Sequence, residues 1–314
     1  MNNKPILSLC IPTNGILEFV LPLVESIYSQ GVDENLYEVV ITDNGENSQL
    51  EDEIKKFHHS NLFYYKTQSN GFTNQIDSFR LANGEFRKML NHRDRIVDGA
   101  LSKLIQLIRD NINERPIIYC AGSKNVITRC DTIDSFVNYL QCTVSWSAGV
   151  GIWEEDVPTL ETVEINQLFP HIALLFDIRK NPKFLIWETK YVTQCPAFGK
   201  GGYNPFYAFG VEFLDIINHL RLHKLISDET FLNTKKSVYR RLKYFYLEDY
   251  LLFKDQNTFD FENIKKHVSL YFETFTYYKI KLWSWREYPK YKILRLFKRI
   301  YQMISVYGCF NYYS

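Results

Sequence analysis

The chain opens with a strand-helix-strand pattern that leaves few folds open. Ile6-Leu7-Ser8-Leu9-Cys10-Ile11 is a short apolar run stopped by Pro12, after which Thr13, Asn14 and Gly15 mark a loop. Leu17, Val20, Leu21, Val24 and Ile27 then recur at helical spacing up to Gly31, and a second apolar run, Tyr37-Glu38-Val39-Val40-Ile41-Thr42, meets Asp43-Asn44-Gly45. Two strands joined through a helix within roughly 40 residues form a right-handed parallel crossover, the unit of a doubly wound α/β sheet. In such sheets ligands sit beyond the carboxyl ends of the strands, which is where Thr13 and Asp43 fall.

The pattern continues downstream. A polar helix is expected from Gln49 to Phe57, a third strand at Leu62-Phe63-Tyr64-Tyr65, a turn at Asn70-Gly71 and a helix from Thr73 to Leu81, broken by Ala82-Asn83-Gly84. A short strand from Phe86 to Leu90 then delivers a knot of polar residues, Asn91-His92-Arg93-Asp94-Arg95, before Ile96-Val97-Asp98-Gly99-Ala100-Leu101 starts an amphipathic helix with Leu104, Ile105 and Ile108. Pro116 to Cys120 reads as a further strand and Phe136 to Leu140 as a short helix.

Composition removes several function classes. A chain of 314 residues with 46% hydrophobic and 23% charged residues can bury a sizeable core, and no run approaches the roughly 20 apolar residues that cross a bilayer. The six cysteines (Cys10, Cys120, Cys130, Cys142, Cys195, Cys309) form no close pair and have no histidine at metal-ligand spacing, which argues against a zinc site or a disulfide framework. With Met1-Asn2-Asn3-Lys4 leading straight into a strand, no signal peptide is expected, and a reducing cytoplasm is the expected location. The aromatic share of 16% suits either a carbohydrate or membrane-interface surface or an aromatic core.

Pro12-Thr13-Asn14-Gly15, Asp43-Asn44-Gly45, Asn70-Gly71, Ala82-Asn83-Gly84-Glu85-Phe86 and Asp98-Gly99-Ala100-Leu101 stand in an order and spacing that resembles the family 2 glycosyltransferases of GT-A fold. Phe169-Pro170-His171 and Gly201-Gly202-Tyr203-Asn204 resemble the members that build bacterial surface polysaccharides such as capsule and lipopolysaccharide. The resemblance implies a GT-A type, Rossmann-like mixed sheet, mostly parallel and flanked by helices, with a helical C-terminal extension. It places a catalytic domain at 1–218, its nucleotide-sugar half at 1–100 and its acceptor half at 101–218, and the extension at 219–314. It also implies inverting transfer from a UDP- or dTDP-sugar to a saccharide or lipid-linked acceptor. The chain departs from the family where Asn14-Gly15-Ile16 follows Pro-Thr and where the Asp-x-Asp position reads His92-Arg93-Asp94, without its first aspartate. The motivated alternative is a catalytically silent nucleotide-binding or scaffold protein.

Sugar transfer needs a nucleotide pocket, charge against the leaving diphosphate and a base for the acceptor proton. Pro12, Thr13, Asp43, Asn44, Asn70 and Asn74 are the expected donor-binding residues; Asp43 and Thr13 equally fit turn and strand-end roles. Asp94 is the expected ligand for Mg²⁺ or Mn²⁺, with His92 on the same face of an extended segment as a second ligand. Alternatively Arg93 or Arg95 meets the diphosphate directly and metal dependence is reduced. For the base, His171 follows Pro170 in a first helical turn, where the helix dipole favours neutral imidazole; a core histidine is the other reading. Glu155 and Asp156, after Trp153, are the rival bases or a solvated turn. Lys200, in the glycine-rich Phe198-Gly199-Lys200-Gly201-Gly202, either reaches the diphosphate from a lid or sits in an ordinary loop.

Beyond His219 the chain reads as helical and tyrosine-rich. Lys279, Lys281, Arg286, Lys290, Lys292, Arg295, Lys298 and Arg299, interleaved with Trp283, Trp285, Ile293, Leu296 and Ile300, suit an anionic membrane surface at the inner face of the plasma membrane, or a helix packed with its basic side in solvent. No nucleic-acid recognition motif accompanies the charge. Oligomeric state is not legible.

Overall fold

The computed structural model describes residues 4–47, 49–194 and 199–310, with side chains to Arg295. The chain divides into two compact units, Met1–Pro196 with His223–Thr230, and Ala197–Leu222 with Phe231–Ser314. The boundary expected after 218 falls inside a continuous helix, Phe213–Leu222.

In the first unit β1 (Leu7–Thr13), α1 (Leu17–Tyr28), β2 (Tyr37–Asp43), α2 (Gln49–Lys55), β3 (Leu62–Lys66), α3 (Asn74–Leu81) and β4 (Phe86–Met89) follow the expected order. Next come β5 (Asp94–Ile96), α4 (Ala100–Asp110), β6 (Ile117–Cys120), β7 (Ile127–Cys130), α5 (Ile133–Leu140), β8 (Val150–Trp153), α6 (Ala173–Phe176), β9 (Phe184–Trp187) and β10 (Val192–Gln194). Eight strands form one sheet in the order β3-β2-β1-β4-β8-β6-β9-β7, and β5 pairs with β10 apart from it. β3, β2, β1 and β4 run parallel, β8 runs against both β4 and β6, β9 runs with β6, and β7 runs against β9. The sheet is therefore mixed and mostly parallel, as expected.

Pro12 does not end β1, whose pairing with β2 continues to Thr13 opposite Asp43. The reason is directional. Backbone groups alternate sides along a strand; Cys10 O accepts from Leu90 N–H on the β4 side, and Thr13 O accepts from Asn44 N–H on the β2 side. Pro12 thus turns its missing N–H toward β4, past the point where that ladder stops at Cys10 and Met89.

Alternate side chains of the strands, Leu7, Leu9 and Ile11 with Val39 and Ile41, pack against Val20, Leu23, Val24 and Ile27 of α1 and Leu101, Leu104, Ile105 and Ile108 of α4. On the opposite face α3 lies against β1 and β2, and Phe136 of α5 stacks on Phe184 at 4.0 Å between ring centroids. β8 threads between β4 and β6 because Gly151 within it and Gly149 just before it admit bulky neighbours. A Cβ on Gly151 would collide with the Phe86 ring, and one on Gly149 with the Tyr119 ring.

The second unit is helical: α7 (Pro205–Tyr207), α8 (Phe213–Leu222), α9 (Asp228–Tyr244, entering it at Phe231), α10 (Ile264–Tyr271) and α11 (Thr276–Phe310), with π-helical stretches at Ala208–Glu212 and Phe245–Leu252. Its interior is aromatic: Phe206, Tyr246, Phe261 and Tyr277 meet edge to face. No described helix is long and apolar enough to cross a membrane. Cys10, Cys120 and Cys130 are free thiols and buried, Cys142 is buried as well, and Cys195 and the side chain of Cys309 lie outside the described residues.

Overpacking of this kind costs about 1–3 kcal/mol, so Gly151→Ala is expected to lower the urea-unfolding free energy by that amount. A loss below roughly 0.5 kcal/mol would mean that Phe86 repacks freely.

Candidate donor site at the carboxyl edge of the sheet

β1, β2 and β4 end side by side, and the residues beyond them are tied together by their own backbone needs. Thr13 is buried; its Oγ1 accepts from Gly15 N–H at 3.2 Å and is 2.8 Å from His92 Nδ1. The Asp43 carboxylate is fully buried, with Oδ1 accepting from Gly45 N–H at 2.8 Å and Oδ2 from Tyr64 Oη at 2.7 Å and Lys66 Nζ at 3.2 Å. Asn74 Nδ2 donates to Thr13 O at 3.1 Å and Thr42 O at 2.8 Å while its Oδ1 accepts from Thr67, so its amide braces two strand ends. Asn44 Nδ2 donates to Ser69 O at 2.8 Å and Gly71 O at 3.0 Å, closing the neighbouring loop. Pro12 is half-buried in β1, and Asn70 is exposed on that loop.

The polar knot is not one extended segment. Asn91 to Asp94 is a turn, closed by Asp94 N–H to Asn91 O at 2.8 Å, and Asp94 begins β5. His92 and Asp94 therefore part company. His92 lies against Thr13 and Phe19, with ring centroids 5.5 Å apart from the latter, while Asp94 turns inward and is fully buried. Asp94 Oδ2 accepts from Asn91 N–H at 2.9 Å; Oδ1 has no hydrogen-bond partner, the Gln194 amide across the β5–β10 pair acting on it without closing a bond. Burial pushes its carboxyl up to about 6, tempered by that N–H, Lys88, Gln194 and Arg95.

Arg95 has a use that sequence alone hides. Pro22 lies inside α1 and cannot donate to the Glu18 carbonyl one turn back. Arg95 supplies donors there, NH1 to Phe19 O at 3.0 Å and NH2 to Glu18 O at 3.5 Å. Arg93 lies with its guanidinium 3.7 Å from the centre of the Phe19 ring. Burial, then the charges of Arg93 and Arg95, push His92 down to about 3.

These surroundings do not suit a divalent cation. Its expected ligands face different ways, two guanidinium groups lie beside them, and among the described residues no three His, Cys, Asp or Glu side chains gather to hold a metal. Lys88 opens the stretch Lys88–Ile96, and the sequence gives it no individual role there. It is fully buried in β4, and its Nζ donates to Met89 O at 2.9 Å, Val150 O at 3.3 Å and Ala148 O, so its three protons all find carbonyls. The only advance signal was a pair of basic residues, Arg87-Lys88, inside a strand.

The three expected bases are not at this edge in usable form. β8 runs against β4 with Trp153 opposite Phe86, so Glu155 and Asp156, just past its end, lie where the parallel strands begin. There Arg179 holds Asp156, with Nε to Oδ1 at 2.5 Å and NH2 to Oδ2 at 2.8 Å, and Arg115 holds Glu155 at 2.6 Å. His171 sits in a 3-10 turn, Pro170–Ile172, and is 2% exposed. Neither ring nitrogen has a hydrogen-bond partner, Val144 backbone lying near but out of geometry; burial, not a helix dipole, pushes it down to about 4. Lys200 belongs to the second unit, where its charge acts on Glu248 and Asp249. On α11, Trp285, Ile293 and Leu294 are exposed and Trp283 packs on Lys243 and Tyr244; the side chains of Leu296, Lys298, Arg299 and Ile300 lie outside the described residues.

The buried imidazole fixes a pH dependence. Above pH 6.5 His171 is neutral folded or unfolded; as pH falls from 6.5 to about 4 only the unfolded chain takes up the proton. Stability then drops by on the order of 1 kcal/mol per pH unit. His92 acts with the same sign, and Asp94, raised to about 6, with the opposite one. His171→Leu is expected to flatten the unfolding free energy between pH 6.5 and 5; an unchanged slope would show a solvated ring.

No protein-family model matches the chain, and no curated protein does. Solved structures do. S. aureus TarS 1–349 in complex with UDP-GlcNAc superposes with a TM-score of 0.53 at 15% identity, over 80% of this chain and 75% of that one. The mannosyltransferase PcManGT from Pyrobaculum calidifontis, in complex with GDP-Man and Mn²⁺, gives 0.51 at 12% identity over 94% and 85%. With the strand order and crossover already described, these likenesses give the chain the fold of the GT-A-type glycosyltransferases.

Proposed function

We propose that the chain is a glycosyltransferase that takes a sugar from a UDP- or dTDP-sugar and transfers it, with inversion, to a saccharide or lipid-linked saccharide of a bacterial surface polysaccharide. The observation that carries this reading is the convergence of Thr13, Asp43 and His92 beyond β1, β2 and β4 of a GT-A-type sheet. Ligands of open α/β sheets bind at that edge. Asp43, Asn44, Asn70 and Thr13 would shape the nucleotide pocket, mainly through loops they hold in place. Asn74 acts behind them, as the brace of the strand ends.

The diphosphate would be met by Arg93 and by the His92 side chain rather than by an acidic pair with its metal. Asp94 and His92, the residues expected to hold a cation, face different ways. The silent alternative, nucleotide binding without transfer, draws support from one feature: His171, Glu155 and Asp156 are sealed or paired with arginine. Donor turnover separates the two readings.

Thermal unfolding with UDP, in Mn²⁺ and in EDTA, followed by donor consumption with candidate acceptors, is the direct test. UDP should raise Tm equally in both, and His92→Ala with Arg93→Ala should abolish the rise. Nucleotide binding without turnover would favour the silent protein, and no response to UDP would remove both readings. Exposed Trp285, Ile293 and Leu294 beside Lys290 and Lys292 further support peripheral attachment to the inner face of the plasma membrane. Co-sedimentation with phosphatidylglycerol vesicles should fall on Trp285→Ala with Ile293→Ala; equal sedimentation would refute attachment through this face.

A further inference from the structure

A second group of side chains stands at the same edge of the sheet, in the half where β6 and β9 run parallel and end together. Glu188 follows β9 directly and is only 5% exposed. Its Oε2 accepts from Tyr139 Oη at 2.5 Å and its Oε1 from Lys124 Nζ at 3.0 Å. Burial alone would raise this carboxyl, but the hydrogen bonds from Tyr139 and Lys124, with the Lys124 charge, hold it below its ordinary value and keep it ionised.

Its cover is thin. Lys124 is 67% exposed, a flexible side chain laid over the carboxylate. Gly122, with φ of +74°, has its Cα against the group, where a Cβ would come within 2.9 Å of Oε1. Around it stand partly exposed aliphatic and aromatic surfaces. Ile127 pairs with Trp187, so Val126 lies opposite Glu188 and on the same face; Glu188 N–H donates to Val126 O at 2.9 Å. Val126 is 44% exposed and Tyr139 41% exposed.

A carboxylate that accepts from hydroxyls, beside an aromatic ring and an aliphatic surface for C–H faces, is the chemistry that recognises a sugar ring. In the strand order, β9 lies three positions from β4, about 14 Å at the usual inter-strand spacing. That is too far to hold the donor and about right for a sugar of the acceptor one or two residues from the reacting one.

We infer that Glu188, Tyr139, Lys124 and Val126 form a subsite for the acceptor saccharide. The inference rests on the transferase reading for its role in the reaction, but not for the binding itself. A bound sugar would turn Lys124 aside, set its C–H face on Tyr139 and give hydroxyl protons to Glu188.

The test is binding of the full chain to an array of defined bacterial surface oligosaccharides, comparing wild type with Tyr139→Ala, Lys124→Ala and Glu188→Gln, and with the UDP-induced Tm shift measured in parallel. The expected result is binding to at least one oligosaccharide, weakened ten-fold or more by Tyr139→Ala and Glu188→Gln. Lys124→Ala, exposed and safe for folding, should change the affinity or selectivity for the same sugar. No binding by wild type, or equal binding by all three folded variants, overturns the subsite. Oligosaccharide binding with no UDP response leaves the subsite standing and removes the transferase reading instead.

Discussion

A parallel strand that ends leaves N–H and C=O groups with no partner, and the carboxyl edge of this sheet is built around that deficit. Asn74 adds a side-chain donor at two strand-end carbonyls at once, Thr13 O, which also takes the Asn44 N–H, and Thr42 O. Asp43 takes the Gly45 N–H, Asp94 the Asn91 N–H, and Asn44 closes the loop at Ser69 and Gly71. An unpaired buried backbone group costs about as much as a lost hydrogen bond, so these polar residues are bound to the fold before any ligand arrives. Their chemistry toward a ligand is therefore largely one of shape.

The same accounting explains the polar knot after β4. A proline inside α1 leaves a carbonyl short of a donor, and Arg95 reaches across from β5 to supply one. Ser26 of α1 accepts from Ile96 N–H at 3.0 Å, and Phe19 lies under Arg93 and beside His92. The loop and the start of β5 are thus draped along about two turns of one helix. Its charge is positive where a metal-binding loop would be negative, and its single carboxylate faces the interior. Beneath it Lys88 binds three carbonyls, joining the end of β4 to the start of β8. The antiparallel β8 in turn separates β4 from the half of the sheet that carries Glu188.

Much of the first hundred residues was legible in advance, because period-2 and period-3.6 patterns and turn residues are local signals. β1 to β4, their crossover helices and the placement of Thr13 and Asp43 at strand ends all follow from them. β7, β8 and β9 were not legible: each is four residues long, and a buried run such as Phe184-Leu185-Ile186-Trp187 has no periodicity to separate strand from helix. That gap misplaced Glu155 and Asp156, since only the antiparallel direction of β8 sends them to the far edge. It also hid Glu188, a lone acid between Trp187 and Thr189 until β9 is known to end there.

Sequence by itself determined the α/β crossover, the edge where ligands gather and the oddity of Asn91 to Arg95 as a replacement for an acidic motif. Those are properties of neighbouring residues and of chirality. Only the tertiary structure decided which polar groups remain for a ligand. Whether Asn74, Arg95, Asp94 or His171 meets solvent, a carbonyl or a sealed core depends on elements far apart in the chain, and burial and backbone hydrogen bonds fix that answer.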